Sequence, residues 1–226
     1  MIAEAISNCL ELDGTVFEKA EIAGPGFMNF YLSQKFYTDV LKDIFACASD
    51  YGKSDFGQGK RVLVEFVSAN PTGPMHIGNA RGGAIGDCLA SVLDWAGYSV
   101  NREFYVNDAG NQIEKFATSL EVRYLQHFDA SVELPEDAYH GQDIVDHAEN
   151  FIKEYGDKFV NAESKKRRKA LVDYALPKNI EGLERDLGRY RITYDKWFRE
   201  STLHNDGSVQ KVIDALKEKG VTYEQD

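Results

Sequence analysis

The chain has 226 residues, with 26 lysines and arginines against 37 aspartates and glutamates, a formal net charge of −11 and a pI near 5.0. Its 43% hydrophobic, 12% aromatic and 28% charged residues exclude an intrinsically disordered chain, and the surplus of carboxylates speaks weakly against a surface built wholly for nucleic acid while allowing local basic patches. No apolar run approaches the roughly 20 residues that cross a bilayer, and the start Met1-Ile2-Ala3-Glu4-Ala5 lacks the parts of a secretory signal, so a cytoplasmic chain with no membrane partner is expected.

Residues 1–12 read as a short amphipathic helix followed by Gly14. Thr15 to Ala23 and Phe27 to Leu32 have strand character and flank Gly24-Pro25-Gly26, which predicts a hairpin. Ser33 is placed to cap a helix whose apolar positions are Phe36, Val40, Leu41, Ile44, Phe45 and Ala48, and the stretch Tyr51 to Gly59 ends it. Lys60 to Val67 is β-branched and apolar on both faces, the pattern of a central parallel strand covered by helices on both sides. Prolines and glycines forbid regular structure over most of Ser68 to Asn79. From Ala80 the pattern is helical, with Ala84, Ile85, Cys88, Leu89, Val92, Leu93 and Ala96 on one face and Gly97 where a left-handed C-terminal residue belongs. Ser99 to Val106 reads as a second strand, and Asn107 to Gln112 opens a helix with Ile113, Phe116, Ala117, Leu120 and Tyr124 in register.

This order of strand, loop, helix, strand, loop and helix is half of a doubly wound domain, so the expected fold class is α/β, the first half of a Rossmann-like parallel sheet. No later segment has comparable strand strength. Residues 129–157 hold nine carboxylates against a single lysine, Lys153. Lys165 to Lys169 forms a basic run, read either as a nucleic-acid phosphate contact or as a solvated helix face. An amphipathic helix follows through Leu171, Tyr174, Ile180, Leu183 and Leu187, then a strand-like stretch from Tyr190 to Phe198 and a last helix from Ser208 to Lys219. Trp95 and Trp197 read as packing residues. The three cysteines, Cys9, Cys47 and Cys88, form no CxxC pair and are expected as small buried side chains, and the five histidines are scattered, so no bound metal or prosthetic group is expected.

Chemistry concentrates at the strand-to-helix crossing of residues 64–81. Such a crossing places the N–H groups of a helix's first turn at the carboxyl edge of the sheet, where anions bind. His76, Gly78 and Asn79 of H-x-G-N offer donors without a blocking side chain, as transfer of a nucleotidyl group requires, because charge builds on the α-phosphate oxygens. The same residues also fit a plain tight turn with an incidental His76. Asp108 and Asn111, at the next helix start on this edge, either border the pocket or cap their helix.

The longer string V-E-F-V-S-A-N-P-T-G-P-M-H-I-G-N-A-R-G, residues 64–82, resembles the signature of arginyl-tRNA synthetases, class I enzymes whose HIGH motif follows an S-x-N triplet at this spacing. The resemblance continues through residues 96–113, Y-H-G-Q-D-I at 139–144, E-Y-G-D-K-F-V at 154–160 and Y-D-K-W-F-R-E-S at 194–201, while A-E-I-A-G-P-G-F-M-N-F-Y-L at 20–32 resembles the end of that family's N-terminal additional domain. It implies ATP-dependent activation of L-arginine and transfer to tRNA(Arg), with Mg2+ accompanying the ATP. It also implies an arginine site of Glu65, Ser68, Ala69, Asn70 and His76, an ATP site of His76, Gly78 and Asn79, catalytic roles for His76 and Asn79, and a HIGH-type motif of His76, Ile77, Gly78 and Asn79. Asn79 stands where the last HIGH histidine belongs, so an amide that cannot carry positive charge takes that place. Gly73 stands about where some members carry a lysine.

The implied organisation is residues 1–50 as the C-terminal part of the additional domain, 60–128 as the first half of the catalytic domain, and 129–226 as a truncated insertion. A second Rossmann half, a KMSKS loop and an anticodon-binding domain have no counterpart here, so the expectation is a fragment inactive or severely impaired alone, of open oligomeric state. Two other readings are kept: a small-metabolite adenylyltransferase with an HxGH-type loop, and a non-catalytic tRNA-binding paralogue.

Overall fold

The computed structural model describes residues 2–223 and divides between Ser54 and Asp55 into two compact units. In the first, α1 spans Ile2–Ser7. It is shorter than the expected 1–12, whose first residue lies outside the described ones, because the N–H groups of Cys9 and Leu10 turn back onto the carbonyls of Ile6 and Ser7 and close the helix. The hairpin forms as expected from β1 (Phe17–Ala23) and β2 (Phe27–Leu32), antiparallel from Phe17 opposite Leu32 to Ala23 opposite Phe27. Its first strand starts later than Thr15 because both the N–H and the hydroxyl of Thr15 donate to the Leu12 carbonyl. Ser33 caps α2 (Gln34–Cys47), its hydroxyl oxygen accepting from the Phe36 N–H at 3.3 Å.

The second unit holds β3 (Arg61–Glu65), α3 (Ile77–Trp95), β4 (Ser99–Val106), α4 (Asn111–Gln126), α5 (Gln142–Tyr155), α6 (Ser164–Arg189), β5 (Lys196–Arg199), α7 (Ser201–Asn205) and α8 (Ser208–Glu218). The three strands make a parallel sheet in the order β3-β4-β5, with Arg61 opposite Ser99 and Glu103 opposite Lys196. The parallel α/β expectation holds, with two corrections to its strands. Among the described residues β4 is central and β3 is an edge, where Leu63 is 59% exposed. The weak Tyr190 to Phe198 stretch also contributes a third parallel strand, drawn in where Asp195 exchanges hydrogen bonds with the Arg102 backbone and Trp197 stacks on Phe104 at 4.3 Å. β3 stops at Glu65, short of Val67, because Val67 and Ser68 turn to positive φ (67° and 42°). The Ser68 hydroxyl then accepts the Tyr105 N–H at 3.1 Å, a ladder donor left open by the early end of β3.

α3 corrects the periodicity reading. It begins at Ile77 rather than Ala80, and it buries Gly83, Gly86 and Ala90. The expected core residues Ile85, Leu89 and Val92, with Cys88, lie on its exposed side. A methyl group at Gly86 would stand 2.2 Å from Cγ of Phe66, the residue that follows β3, so the helix and this residue meet too closely for anything larger. At its other end, Gly97 has φ +85°, and the N–H groups of Gly97 and Tyr98 bond back to Asp94 and Leu93, as expected of a glycine-terminated helix. All three cysteines are exposed, which overturns their expected burial.

Two cores share one helix. The C-terminal half of α6 packs Ile180, Leu183 and Leu187 with Val64, Phe66, Phe104 and Val106 of the sheet region. Its N-terminal half packs Leu171 and Ala175 with Phe116, Leu120 and Tyr124 of α4 and Ile144 and Phe151 of α5. At about 1.5 Å per residue, a helix of 26 residues is long enough to do both.

Candidate active site

The loop from β3 to α3 crosses the carboxyl edge of the sheet and is fixed from behind. Pro71 is fully buried, and its carbonyl accepts from Asn179 Nδ2 of α6 at 2.9 Å, while Asn179 Oδ1 lies 2.7 Å from His147 Nε2 of α5. Helices remote in sequence thus hold a loop whose own prolines and glycines give it no regular structure.

His76 caps α3. The Gly78 N–H donates to His76 Nδ1 at 3.1 Å, and the His76 N–H donates to Asn79 Oδ1 at 3.0 Å. Gly78 is required for this closure, since a Cβ there would stand 2.9 Å from the imidazole. Because Nδ1 accepts, the proton of the neutral ring sits on Nε2. The Asn79 N–H bonds to the His76 carbonyl, so first-turn N–H groups expected to face an anion are used within the cap. The side-chain donors left for a ligand are His76 Nε2–H and the Asn79 Nδ2 amide.

A cleft of about 630 Å³ opens here, lined by Ser68, Ala69, Asn70, Thr72, Gly73, Pro74, His76 and Asn79 on one side and by Gln112, Tyr139, Gly141 and Asp143 on the other. It brings together Ser68, Ala69, Asn70, His76 and Asn79 of the expected site. Ile77, 89% exposed, and Gly78 do not line it. Neither does Glu65, which stands exposed at the end of β3. Glu65 acts instead on Tyr105, whose hydroxyl is pushed up in pKa first by burial and then by the Glu200 carboxylate, with Asp108 and Glu65 adding to it. With its amide oriented as its neighbours require, Asn107 donates to Glu200 Oε2 at 2.6 Å, and its oxygen lies 3.2 Å from Asn70 Oδ1. The carboxyl edge therefore carries two adjoining environments: the cleft at His76 and a carboxylate-rich group around Tyr105. Asp108 and Asn111 do not line the cleft, and Asp108 accepts the Ser201 N–H and hydroxyl at 2.8 and 2.9 Å, tying the start of α7 to this edge.

Sequence reasoning singled out none of Thr72, Gln112, Tyr139 or Glu200, nor Asp143. Tyr139 and Asp143 fall in Y-H-G-Q-D and Glu200 in F-R-E-S, blocks marked only by resemblance, and nothing local to them signals proximity to residue 76.

The basic run lies inside α6 and is neither of the two things expected of it as a whole. Arg167 is buried, with Nε on Glu121 Oε1 at 2.9 Å and Nη1 on the carbonyls of Phe159, Val160 and Ala162, and Arg168 Nε meets Glu121 Oε2 at 2.6 Å. Burial works against the Glu121 carboxylate, yet the hydrogen bonds from Arg168, Ser164 and Arg167 and the Arg168 charge outweigh it and hold its pKa below the usual glutamate value. Lys169 pairs with Asp173 along the helix. Among the described residues no three or more His, Cys, Asp or Glu side chains form a group able to hold a metal ion, and no helix is long and apolar enough to cross a membrane.

The family model for class I tRNA synthetases (R), catalytic domain, matches residues 41–226, and that for the arginyl tRNA synthetase N-terminal domain matches residues 1–32. The chain belongs to the class I arginyl-tRNA synthetase family. It is 58% identical to an arginine–tRNA ligase of Caldanaerobacter subterraneus and 54% identical to one of Acetivibrio thermocellus, over its whole length in both cases and 40% of theirs. A Campylobacter jejuni crystal structure assigned as an arginyl-tRNA synthetase matches 86% of the chain and 42% of its own length, with 33% identity and a TM-score of 0.74. The Thermus thermophilus arginyl-tRNA synthetase, at 24% identity and a TM-score of 0.56, shares the fold. The chain thus spans about 40% of the curated relatives it matches. Membership places it with the synthetases rather than with the small-metabolite adenylyltransferases.

Proposed function

We propose that this chain carries substrate-binding residues of an arginine–tRNA ligase, which joins L-arginine to ATP as arginyl-adenylate and passes the arginyl group to tRNA(Arg). The observation that carries the reading is the capped His76, whose Nε2–H and the neighbouring Asn79 amide are left free on a cleft that also holds Asn70. In the adenylation step a carboxylate oxygen of arginine attacks the α-phosphorus and pyrophosphate leaves with its Mg2+. His76 Nε2–H and Asn79 Nδ2 donate to phosphate oxygens whose charge grows in the transition state, and Gly78 keeps the approach clear. Asn70 Oδ1 and the backbone at Ser68 and Ala69 accept from the α-ammonium of arginine. Glu65, with Glu200 at the same edge, supplies carboxylate acceptors for the guanidinium.

In this reading residues 1–50 belong to the additional domain, 60–128 to the first catalytic half, and 129–226 to the insertion, with β5 returning to the sheet. The place of work is the cytoplasm, where tRNA is charged. Calorimetry of the chain with arginine, lysine and citrulline tests the arginine site. Arginine binding tightest is expected, and weakening of that preference in Glu65→Gln and Asn70→Ala supports the roles given to them. Equal affinity for all three ligands overturns the reading.

A further inference from the structure

The far wall of the cleft presents a carboxylate with nothing to bind. Asp143 lies in the first turn of α5, and among the described residues it has neither a hydrogen bond nor an ion pair. It is half-buried, and a carboxylate taken partly out of water without donors is a standing cost that a donor-bearing ligand relieves. Its position is fixed: a Cβ at Gly141 would fall 2.1 Å from Oδ1 and one at Gly73 would fall 3.3 Å from Oδ2, so the carboxylate lies against two glycine backbones and joins the two sides of the cleft. The next residue, Ile144, is fully buried in the helical core.

Tyr139 stands beside it, anchored by its N–H on Ser119 Oγ at 2.9 Å, with its hydroxyl 3.4 Å from both Thr72 Oγ1 and Gln112 Oε1. This wall therefore offers one acceptor-only group with two oxygens and a hydroxyl that both donates and accepts. The carboxylates suited to a guanidinium lie elsewhere, around Tyr105. Two adjacent carboxylate oxygens match two adjacent hydroxyl donors, the way an acidic side chain holds a nucleotide ribose.

We propose that Asp143, with Tyr139, binds the vicinal diol of an adenosine ribose. The inference rests on reading the cleft as a nucleotidyl-transfer site. The same diol is carried by ATP and by the 3′-terminal adenosine of tRNA, and the two sources are separable with the full chain. Calorimetry or ligand-observed NMR is run with AMP against 2′-deoxy-AMP, and with the trinucleotide CCA against its form ending in 2′-deoxyadenosine. At least one ribose probe binds about tenfold more tightly than its deoxy partner, as loss of one hydrogen bond to a charged group predicts. That ratio collapses toward one in Asp143→Asn and falls in Tyr139→Phe, which keeps the ring. A preference seen with AMP assigns the diol to the nucleotide, and one confined to the trinucleotide assigns it to the RNA end.

Equal binding within both pairs, no binding of any probe to the unaltered chain, or an undiminished ratio in Asp143→Asn overturns the proposal. A loss of arginine preference in Asp143→Asn, with the ribose ratio kept, assigns the carboxylate to the amino acid instead and also overturns it. If the unaltered chain prefers arginine to citrulline while the ribose ratio is one, only this inference falls. If both preferences are missing, the parent reading falls with it.

Discussion

Arg167 shows how far a single side chain can depart from the character of its neighbours. Its guanidinium satisfies three backbone carbonyls of the 159–162 turn and one oxygen of Glu121, so it holds the approach to α6 against α4. Breaking a buried pair leaves its partner charged and unpaired, and Arg167→Ala is expected to destabilise the second unit by about 3–5 kcal/mol, read from urea unfolding. Lys166→Ala, one position away and exposed, leaves the midpoint unchanged. Glu121 gives the pH counterpart. Its folded pKa is depressed, so its contribution is present above the ordinary glutamate pKa and is lost as the pH falls through the lowered folded value. The acid limb of Tm against pH should therefore be shallower in Glu121→Gln than in the unaltered chain, and identical limbs would remove this assignment. His76 belongs to the same scale: its spacing to Gly78 and Asn79 announced a chemical motif, and the structure adds that the motif caps its own helix, which sets the tautomer and narrows the free donors.

Among the elements, α3 is the most instructive. Its cap and its glycine terminus follow from local chemistry, but of the apolar stripe that periodicity selects Leu93 packs on the sheet core while Ile85, Cys88, Leu89 and Val92 are exposed. Glycine and alanine face the sheet because the helix crosses Phe66 at a distance that excludes larger groups. Gly86→Ala is expected to cost about 1–3 kcal/mol despite alanine's better helix propensity, since overpacking outweighs it. A stabilised variant in thermal unfolding would show that Phe66 yields instead. β5 makes the complementary point: Tyr190 to Phe198 reads as strand-like, yet the strand state is confined to Lys196–Arg199, where pairing with β4 and aromatic stacking on Phe104 confer it.

Over the second unit as a whole, α6 couples the sheet core to the helical core. Leu183→Ala and Leu171→Ala, one in each, are each expected to cost about 2–5 kcal/mol and to shift the same cooperative transition, because one continuous helix contributes to both clusters. Two separable transitions in calorimetry would show the clusters to be independent. The same helix supplies Asn179 to the loop between β3 and α3, so the stability of this region and the placement of Asn70 and His76 are linked through one side chain.

The sequence by itself determined what short-range chemistry controls. The hairpin at Gly24-Pro25-Gly26, the Ser33 cap, the Gly97 terminus and the strand-loop-helix bearing H-x-G-N all depend on groups a few residues apart, and the family was readable from strings of that kind. Only the tertiary structure decided which face of α3 is covered, that residues 196–199 join the sheet, that Arg167 is internal, and that Tyr139 and Asp143 face His76 across a cleft. These outcomes depend on interaxial distance, on desolvation and on pairing between groups tens of residues apart, none of which leaves a periodic mark on the chain.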